Sequence, residues 1–178
     1  AIGEKTPEHA VFLKELAKLF PESRFIHVLR DGRDVCLSGW HFSQKWSPEA
    51  LENTTLAQFV SDYADAWRSR VTQAREFGNA HPGRLLEIRY EALHASPEAE
   101  VKRLLEFIEV ASGPDFINSC LEAGSFEALS GGRIRGDEDQ NSFFRKGVVG
   151  DHKEYFDKDA FNAFEEAAGP LLRELNYD

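Results

Sequence analysis

Apolar residues recur along the chain at two spacings, one typical of buried strands and the other of amphipathic helices. Short, nearly continuous apolar runs at 24–29 and 84–90 predict two strands that are buried on both faces, as in parallel sheets. Apolar positions at helical spacing predict a long helix over 56–77. The same spacing predicts shorter helices over 7–20, 33–44, 97–108 and 115–123, and a final helix after Asp157.

Proline and glycine mark the predicted boundaries. Thr6-Pro7 and Ser96-Pro97 are helix-start signals, in which a hydroxyl residue precedes proline at the first helical position. Gly169-Pro170 predicts an interruption of the last helix. The polar, glycine-rich segment 130–141 predicts a mobile loop.

Strands that alternate with helices predict an α/β fold with a parallel sheet flanked by helices. Only two strands are convincing, although a parallel sheet needs more. Either further strands are hidden, or the chain is part of a larger domain. No repeat or linker divides the sequence, so residues 1–178 are predicted to belong to a single domain.

Composition narrows the classes of function. The formal net charge of -10 argues against general nucleic-acid binding, which needs a basic face. Cys36 and Cys120 are isolated, which favours a reducing compartment, and no spacing indicates a metal site. No apolar run is long enough to span a membrane, and the N-terminal segment "AIGEKTPEHA" lacks the pattern of a signal peptide. A cytoplasmic location is therefore expected.

A charged turn follows the first predicted strand. Arg30 stands at the strand end, and Asp31, Arg33 and Asp34 follow at the predicted helix start, with Ser38 one turn later. Strand ends and helix N-termini are where α/β folds bind anions, and arginine suits phosphate oxygens. The alternative that stays open is a set of surface ion pairs around a turn.

A second basic cluster lies near the C-terminus. Arg145, Lys146 and Gly147 are consecutive, and Gly150 follows three positions later. Backbone amides beside two cations can form a phosphate-binding loop. The alternative is a solvated basic turn, but the aromatic flanks within 143–156 favour a loop anchored on the core.

Four segments together resemble, in order and spacing, successive motifs of the sulfotransferases that use 3′-phosphoadenosine 5′-phosphosulfate (PAPS). The segments are "RFIHVLRDGRDVCLS" (24–38), "LLEIRYEAL" (85–93), "GSFEAL" (124–129) and "FFRKGVVGDHKEYF" (143–156). The resemblance extends from about Gly3 to Phe156. It implies a P-loop NTPase-like parallel sheet flanked by helices, with PAPS as co-substrate and adenosine 3′,5′-bisphosphate as product.

The resemblance also implies roles for the two basic clusters. Arg30 and Ser38 would bind the 3′-phosphate of PAPS. Arg145, Lys146 and Gly147 would hold the same phosphate from the opposite side.

Further residues would bind the nucleoside. Tyr90 would approach the nucleotide from the second strand. Gly124, Ser125 and Phe126 would line the adenine pocket, with Phe126 against the ring. Many small-molecule enzymes of the family carry threonine where this chain has Gly124, so a hydroxyl contact is not expected there. The two aspartates of the charged turn would orient the arginines rather than touch the ligand.

The segment "GEKTP" (3–7) is similar to one found in carbohydrate sulfotransferases, in which a glutamate acts as base. This similarity implies catalytic roles for Glu4 and Lys5. A base is needed because the acceptor hydroxyl must lose its proton as it attacks sulfur. The alternative for Glu4 is a residue that only complements the dipole of the first helix.

One motif of the family has no counterpart in the sequence. No G-x-x-x-x-G-K-[ST] pattern occurs, although the family uses a glycine-rich loop and a lysine to hold the 5′-phosphosulfate. The resemblance therefore implies that the chain is the C-terminal portion of a sulfotransferase domain, with the first strand and P-loop in an upstream segment of the same protein. The 178-residue chain alone is expected to be inactive.

The predicted activity is transfer of a sulfuryl group from PAPS to a hydroxyl of a small molecule or carbohydrate, without a metal. One alternative is a catalytically silent nucleotide-binding or scaffolding module of the same fold. Another is a P-loop kinase relative, which Arg30, Ser38 and Arg145 together disfavour because kinases bind no 3′-phosphate. No nucleic-acid partner or membrane span is expected, and self-association to a homo-oligomer stays open.

Overall fold

Two strands pair in parallel, as the apolar runs predict, but the first strand is not buried on both faces as expected, since Ile26 is 41% and Val28 53% exposed. β1 (Phe25–Leu29) pairs with β2 (Leu85–Arg89) along its whole length. The computed structural model describes residues 3–177. Within them the sheet has two strands, which confirms the α/β class and the parallel pairing.

Helices make up most of the remaining described chain. Nine α-helices, of which α8 is a single short turn, flank the sheet or follow it within residues 3–177. Two 3₁₀-helices lie in the connections between them. The α-helices are α1 (Leu13–Leu19), α2 (Gly32–Trp46), α3 (Leu56–Ala80), α4 (Tyr90–Ala95), α5 (Pro97–Phe107), α6 (Pro114–Ala123), α7 (Phe126–Ser130), α8 (His152–Tyr155) and α9 (Lys158–Glu174), and the 3₁₀-helices are Pro7–Val11 and Pro48–Leu51. None of the helices within residues 3–177 has the length and apolar character needed to cross a membrane.

The main core lies between α3 and α9, which pack along each other. α3 begins with a capping box between Thr55 and Gln58, which satisfies backbone donors at the helix start. Trp67 of α3 and Phe164 of α9 meet in this core, with ring centroids 5.9 Å apart. Because α9 is the last helix, the C-terminal part of the chain supports the first half of the fold.

The start of α2 is fixed against this core by a glycine. A Cβ on Gly32 would lie 2.7 Å from the ring of Phe164 and 2.8 Å from that of Trp67. Such distances are far below normal van der Waals contact, so only glycine fits there. The charged turn after β1 is thereby held directly on the helical core.

Three predicted boundaries differ from the structure. α9 continues through Pro170, because both Pro170 and Glu166 lie on the exposed face, where water can satisfy the Glu166 carbonyl that loses its partner. Tyr90 is the first residue of α4 rather than the end of the strand. After Thr6, a 3₁₀-helix precedes α1, and the Thr6 side chain donates to Glu4 and does not cap this helix.

Segment 131–151 contains no regular helix or strand, and it includes all but the first residue of the loop that composition predicts over 130–141. It is nevertheless tied down by Arg133, whose guanidinium donates to the backbone carbonyls of Asp137, Phe144 and Arg145. The same guanidinium lies over the ring of Phe126, 5.4 Å from its centroid.

Candidate functional site

A cavity of about 260 Å³ lies between α2 and the segment that precedes α8. It brings together three regions that are far apart in the sequence: the turn after β1, the start of α4, and the segment from α7 to Asp151. Seven of the predicted nucleotide-binding residues line it, namely Arg30, Ser38, Tyr90, Phe126, Arg145, Lys146 and Gly147.

Arg30 extends from the end of β1 into this cavity. Its guanidinium lies over the ring of Tyr90, 4.5 Å from the centroid, and its Nη2 donates to the Val148 carbonyl at 3.1 Å and to Asp34 Oδ2 at 3.3 Å. Its Nε is buried and has no hydrogen-bond partner among residues 3–177. The side chain is therefore fixed in place while one of its donors stays unfilled.

Asp34 connects the charged turn to the C-terminal segment. Its buried carboxylate accepts hydrogen bonds from the backbone N–H of Gly150 at 2.7 Å, and from the backbone N–H and ring Nδ1 of His152 at 3.1 and 2.7 Å. Burial alone would raise the pKa of Asp34, but the hydrogen bonds from His152 and the charge of Arg30 outweigh it and lower this pKa well below its usual range. Asp34 is thus ionised and binds both sides of the cavity together.

Asp31 shapes the same turn from the other side. Its side chain caps α2 by accepting from the backbone N–H of Arg33 at 2.9 Å, and it pairs with the Arg33 guanidinium at 2.7 Å. The backbone N–H of Asp31 donates to Glu91, which also accepts from the Tyr177 hydroxyl, each at 2.9 Å. The turn that carries Arg30 is therefore anchored on α4 and on the C-terminal residues.

The second basic cluster is compensated by carboxylates. Arg145 pairs with Glu138 at 2.6 Å and with Asp151, and Lys146 pairs with Asp151 at 2.7 Å and with Glu154 at 2.6 Å. Hydrogen bonds to Asp151 and Glu154 raise the pKa of Lys146. The sequence shows these acidic residues, but it does not indicate that they hold the two cations, because the pairing depends on how the segment folds back.

Gly147 and Phe126 form a close contact at the cavity. Gly147 has φ of +68°, and a Cβ there would lie 2.4 Å from the Phe126 ring. Ser125 caps α7 by accepting from the Ala128 N–H at 3.1 Å, and Gly124 is the C-cap of α6. Gly124 and Ser125 do not line the cavity, so of the predicted adenine-pocket residues only Phe126 does.

One face of α2 extends the cavity beyond Ser38. His41, Phe42 and Lys45 follow Ser38 at intervals of three, four and seven residues, and all three line the cavity. None of the motifs or clusters predicted from the sequence includes them, although their helical spacing from Ser38 is the signal that identifies them as site residues. The aromatic neighbours Trp46 and Phe143 also line it.

Glu4 and Lys5 lie outside this cavity. Glu4 accepts from the Thr6 hydroxyl at 2.6 Å and pairs with His9 Nδ1 at 2.8 Å, and its side chain is 60% exposed. Lys5 is also exposed. The structure does not bring them to the nucleotide-binding residues. Within 3–177, no group of histidine, cysteine and acidic side chains is arranged to hold a metal ion.

Comparison with known proteins identifies the family. The family model described as the sulfotransferase domain matches residues 9–176. Cytosolic sulfotransferase 1 of Arabidopsis thaliana is 32% identical over 152 residues, which covers 74% of this chain and 45% of the relative. Sulfotransferase 1B1 of Mus musculus is 28% identical over 174 residues, which covers 86% of this chain and 58% of the relative.

Solved structures share the fold. Mouse sulfotransferase SULT7A1 complexed with PAP superposes with a TM-score of 0.69 at 21% identity, covering 86% of this chain and 59% of that one. Retinol dehydratase in complex with androsterone and the inactive cofactor PAP superposes with a TM-score of 0.69 at 19% identity. The match covers 90% of this chain and 50% of the retinol dehydratase chain. The chain spans about half the length of the relatives it matches. From the match over residues 9–176, the chain belongs to the sulfotransferase domain family.

Proposed function

We propose that this chain is the nucleotide-binding portion of a PAPS-dependent sulfotransferase domain, and that residues 1–178 form one unit of that domain. The observation that supports it best is the convergence of Arg30, Ser38 and the pair Arg145-Lys146 on one cavity. In the proposal, the 3′-phosphate lies between these two groups. The buried Nε of Arg30, which has no partner within residues 3–177, fits a donor reserved for a ligand oxygen.

The other cavity residues fit the nucleoside. Phe126 lines the cavity with an aromatic ring that adenine would contact, and Gly147 allows that ring to lie against the phosphate-binding segment. The ring of Tyr90 packs against the Arg30 guanidinium and supports it in the cavity. Gly124 and Ser125 would act through the position of α7, because neither lines the cavity. PAP in the complexes of the two structural relatives is consistent with this assignment.

Carboxylates compete with the proposed phosphate for the second basic cluster. The phosphate would replace Glu138 as a partner of Arg145 and Glu154 as a partner of Lys146. Both carboxylates lie at the exposed side of their ion pairs. Asp151, whose side chain is only 3% exposed, would stay and keep both cations pointed at the cavity. Binding is therefore expected to weaken as salt concentration rises.

The reaction would be direct transfer. PAPS would supply the sulfuryl group, which passes to an acceptor hydroxyl of a small molecule or carbohydrate. The residues of this chain would bind and orient the nucleotide and neutralise its 3′-phosphate, and Glu4 beside Lys5 would accept the hydroxyl proton. An upstream glycine-rich loop of the same protein would hold the 5′-phosphosulfate. A cytoplasmic location is proposed from the cytosolic Arabidopsis relative.

Nucleotide affinities test the proposal. Calorimetry on the full-length protein should give the tightest binding for adenosine 3′,5′-bisphosphate, with AMP weaker by roughly tenfold to a hundredfold because it lacks the charged contacts of the 3′-phosphate. Preference for ATP would favour the kinase alternative. Tight binding of the bisphosphate without PAPS turnover on a panel of phenols and sugars would favour the silent module.

A further inference from the structure

His41 lies in the cavity but has no role in the nucleotide site described so far. It stands on the cavity face of α2, three residues after Ser38, and its ring meets the edge of Tyr155 with centroids 5.2 Å apart. Residues three apart on a helix lie on the same face. A phosphate held between Ser38 and Arg145 would therefore be next to this imidazole.

The ring of His41 has an unfilled hydrogen-bonding position. Its Nε2 is buried and finds no partner among residues 3–177. A buried polar atom without a partner costs stability, and in native proteins it often marks a place where a ligand or ion binds. Only Arg30 Nε shares this property among the cavity-lining side chains of the described chain.

The charges around His41 favour an anion beside it. Burial lowers the pKa of His41, and the charge of Arg145 lowers it further, whereas Glu138, Asp151 and a hydrogen bond with Gln44 act in the opposite direction. A phosphate beside the ring would also raise this pKa, which favours the proton on Nε2 that a hydrogen bond to phosphate needs. Charged side chains that line the same cavity are Arg30, Asp34, Lys45, Arg145, Lys146 and Asp151.

We infer that His41 is a further phosphate-binding residue, whose Nε2 donates a hydrogen bond to the phosphate held by Ser38 and Arg145. This inference rests on the proposed function, because it names an additional residue of the same nucleotide site. If His41 binds the phosphate, its loss should lower ligand affinity without lowering the stability of the fold.

A phenylalanine at this position separates the two effects. His41→Phe keeps a ring of similar size against Tyr155 and removes the buried Nε2. The free protein loses an unsatisfied polar atom together with a hydrogen bond to the exposed Gln44, so its melting temperature should change little. The complex loses a hydrogen bond to a charged group, so the affinity for adenosine 3′,5′-bisphosphate should fall roughly tenfold. The affinity for AMP should change by less than about twofold, because AMP lacks the phosphate that His41 would contact.

His81→Phe is the matched control. His81 also stacks on an aromatic ring, that of Phe77 at 4.3 Å between centroids, but its Nδ1 is bonded to the Phe77 carbonyl and it does not line the cavity. This variant should leave both nucleotide affinities unchanged. The measurements are thermal unfolding and calorimetry on the full-length protein and the two variants.

The outcomes distinguish this inference from the proposed function. If the His41→Phe protein binds the bisphosphate as tightly as the parent, or if it fails to fold, His41 is a structural residue and the inference is wrong. If the parent itself shows no preference for the bisphosphate over AMP, the proposed function fails first. An equal loss of affinity for both nucleotides would also overturn the inference, since it would place His41 away from the 3′-phosphate.

Discussion

Asp34 Oδ1 accepts two hydrogen bonds from His152, one from its backbone N–H at 3.1 Å and one from its ring Nδ1 at 2.7 Å, across 118 residues of sequence. The other oxygen of the same carboxylate accepts from Arg30 and Gly150. One buried carboxylate therefore connects the turn after β1 to the segment that carries Arg145 and Lys146. The two halves of the candidate phosphate site keep their relative position through this contact.

Asp34→Asn should destabilise the fold by about 3 kcal/mol, the usual effect of breaking a buried charged network. The amide nitrogen of asparagine would face donors, the Gly150 N–H among them, where the carboxylate accepts. Urea unfolding measures the change. Asp65→Asn is the control, because Asp65 pairs with Arg68 on the exposed face of α3 and should matter by less than about 1 kcal/mol. Equal losses for the two variants would contradict the role of Asp34.

Acid should weaken the fold through the same residue. The pKa of Asp34 is lowered in the folded protein, since the bonds from His152 and the charge of Arg30 outweigh burial. An unfolded aspartate has a pKa of about 3.9, so the unfolded state takes up the proton first as the pH falls. The stabilisation that Asp34 contributes should be fully present and independent of pH near neutrality, and it should be lost progressively from about pH 5 downward. Asp34→Asn should show a shallower decrease between about pH 5 and 3, and an identical slope in both proteins would rule out this linkage.

The sequence was sufficient to predict the elements that carry the site. The apolar runs predict both strands and their parallel pairing, and the motif order places Arg30, Ser38 and Arg145 on one cavity before any contact is known. This works because strand periodicity and helix-start signals are local. Pro170 shows the limit of local signals, because α9 continues through it on an exposed face where water can satisfy the freed Glu166 carbonyl.

The contacts within the site could not be predicted. Asp34 and His152 are far apart in sequence, and nothing local in either segment specifies their bond. The sequence also does not show which carboxylates pair with Arg145. Glu138 contacts Arg145 only after segment 131–151 folds back. Long-range polar pairing depends on the whole fold, whereas the presence of helices and strands depends mainly on neighbouring residues.

Gly147→Ala should reduce both stability and nucleotide affinity. A Cβ at this position would lie 2.4 Å from the Phe126 ring, and the φ of +68° is unfavourable for alanine. Gly131→Ala is the matched control, because Gly131 has φ of +79° and open space where a Cβ would project. Both variants should lose about 1 kcal/mol of stability from the backbone. Only Gly147→Ala should also weaken binding of adenosine 3′,5′-bisphosphate, and unchanged binding would show that Phe126 is not part of the nucleotide site.

Arg30→Ala should weaken binding of adenosine 3′,5′-bisphosphate by roughly tenfold to a hundredfold, because a hydrogen bond to a charged group contributes about 1.5–3 kcal/mol. The guanidinium is held over Tyr90 with its Nε unfilled, so its loss removes a donor that is already positioned. AMP binding should hardly change. Arg103→Ala is the control, since Arg103 pairs with Glu100 on α5 and does not line the cavity. A similar loss for both nucleotides would mean that Arg30 acts through folding.

Glu4→Gln tests the proposed base. The side chain lies outside the cavity, bonded to Thr6 and His9, so the affinity for adenosine 3′,5′-bisphosphate should stay within about twofold of the parent in the full-length protein. If Glu4 accepts the proton of the acceptor hydroxyl, release of adenosine 3′,5′-bisphosphate from PAPS in the presence of phenol and sugar acceptors should fall by roughly 10²–10⁴-fold. Glu8→Gln, in the neighbouring 3₁₀-helix, is the control for a mere change of charge. Turnover within about threefold of the parent would exclude Glu4 as the base, since a positioned base contributes far more than that.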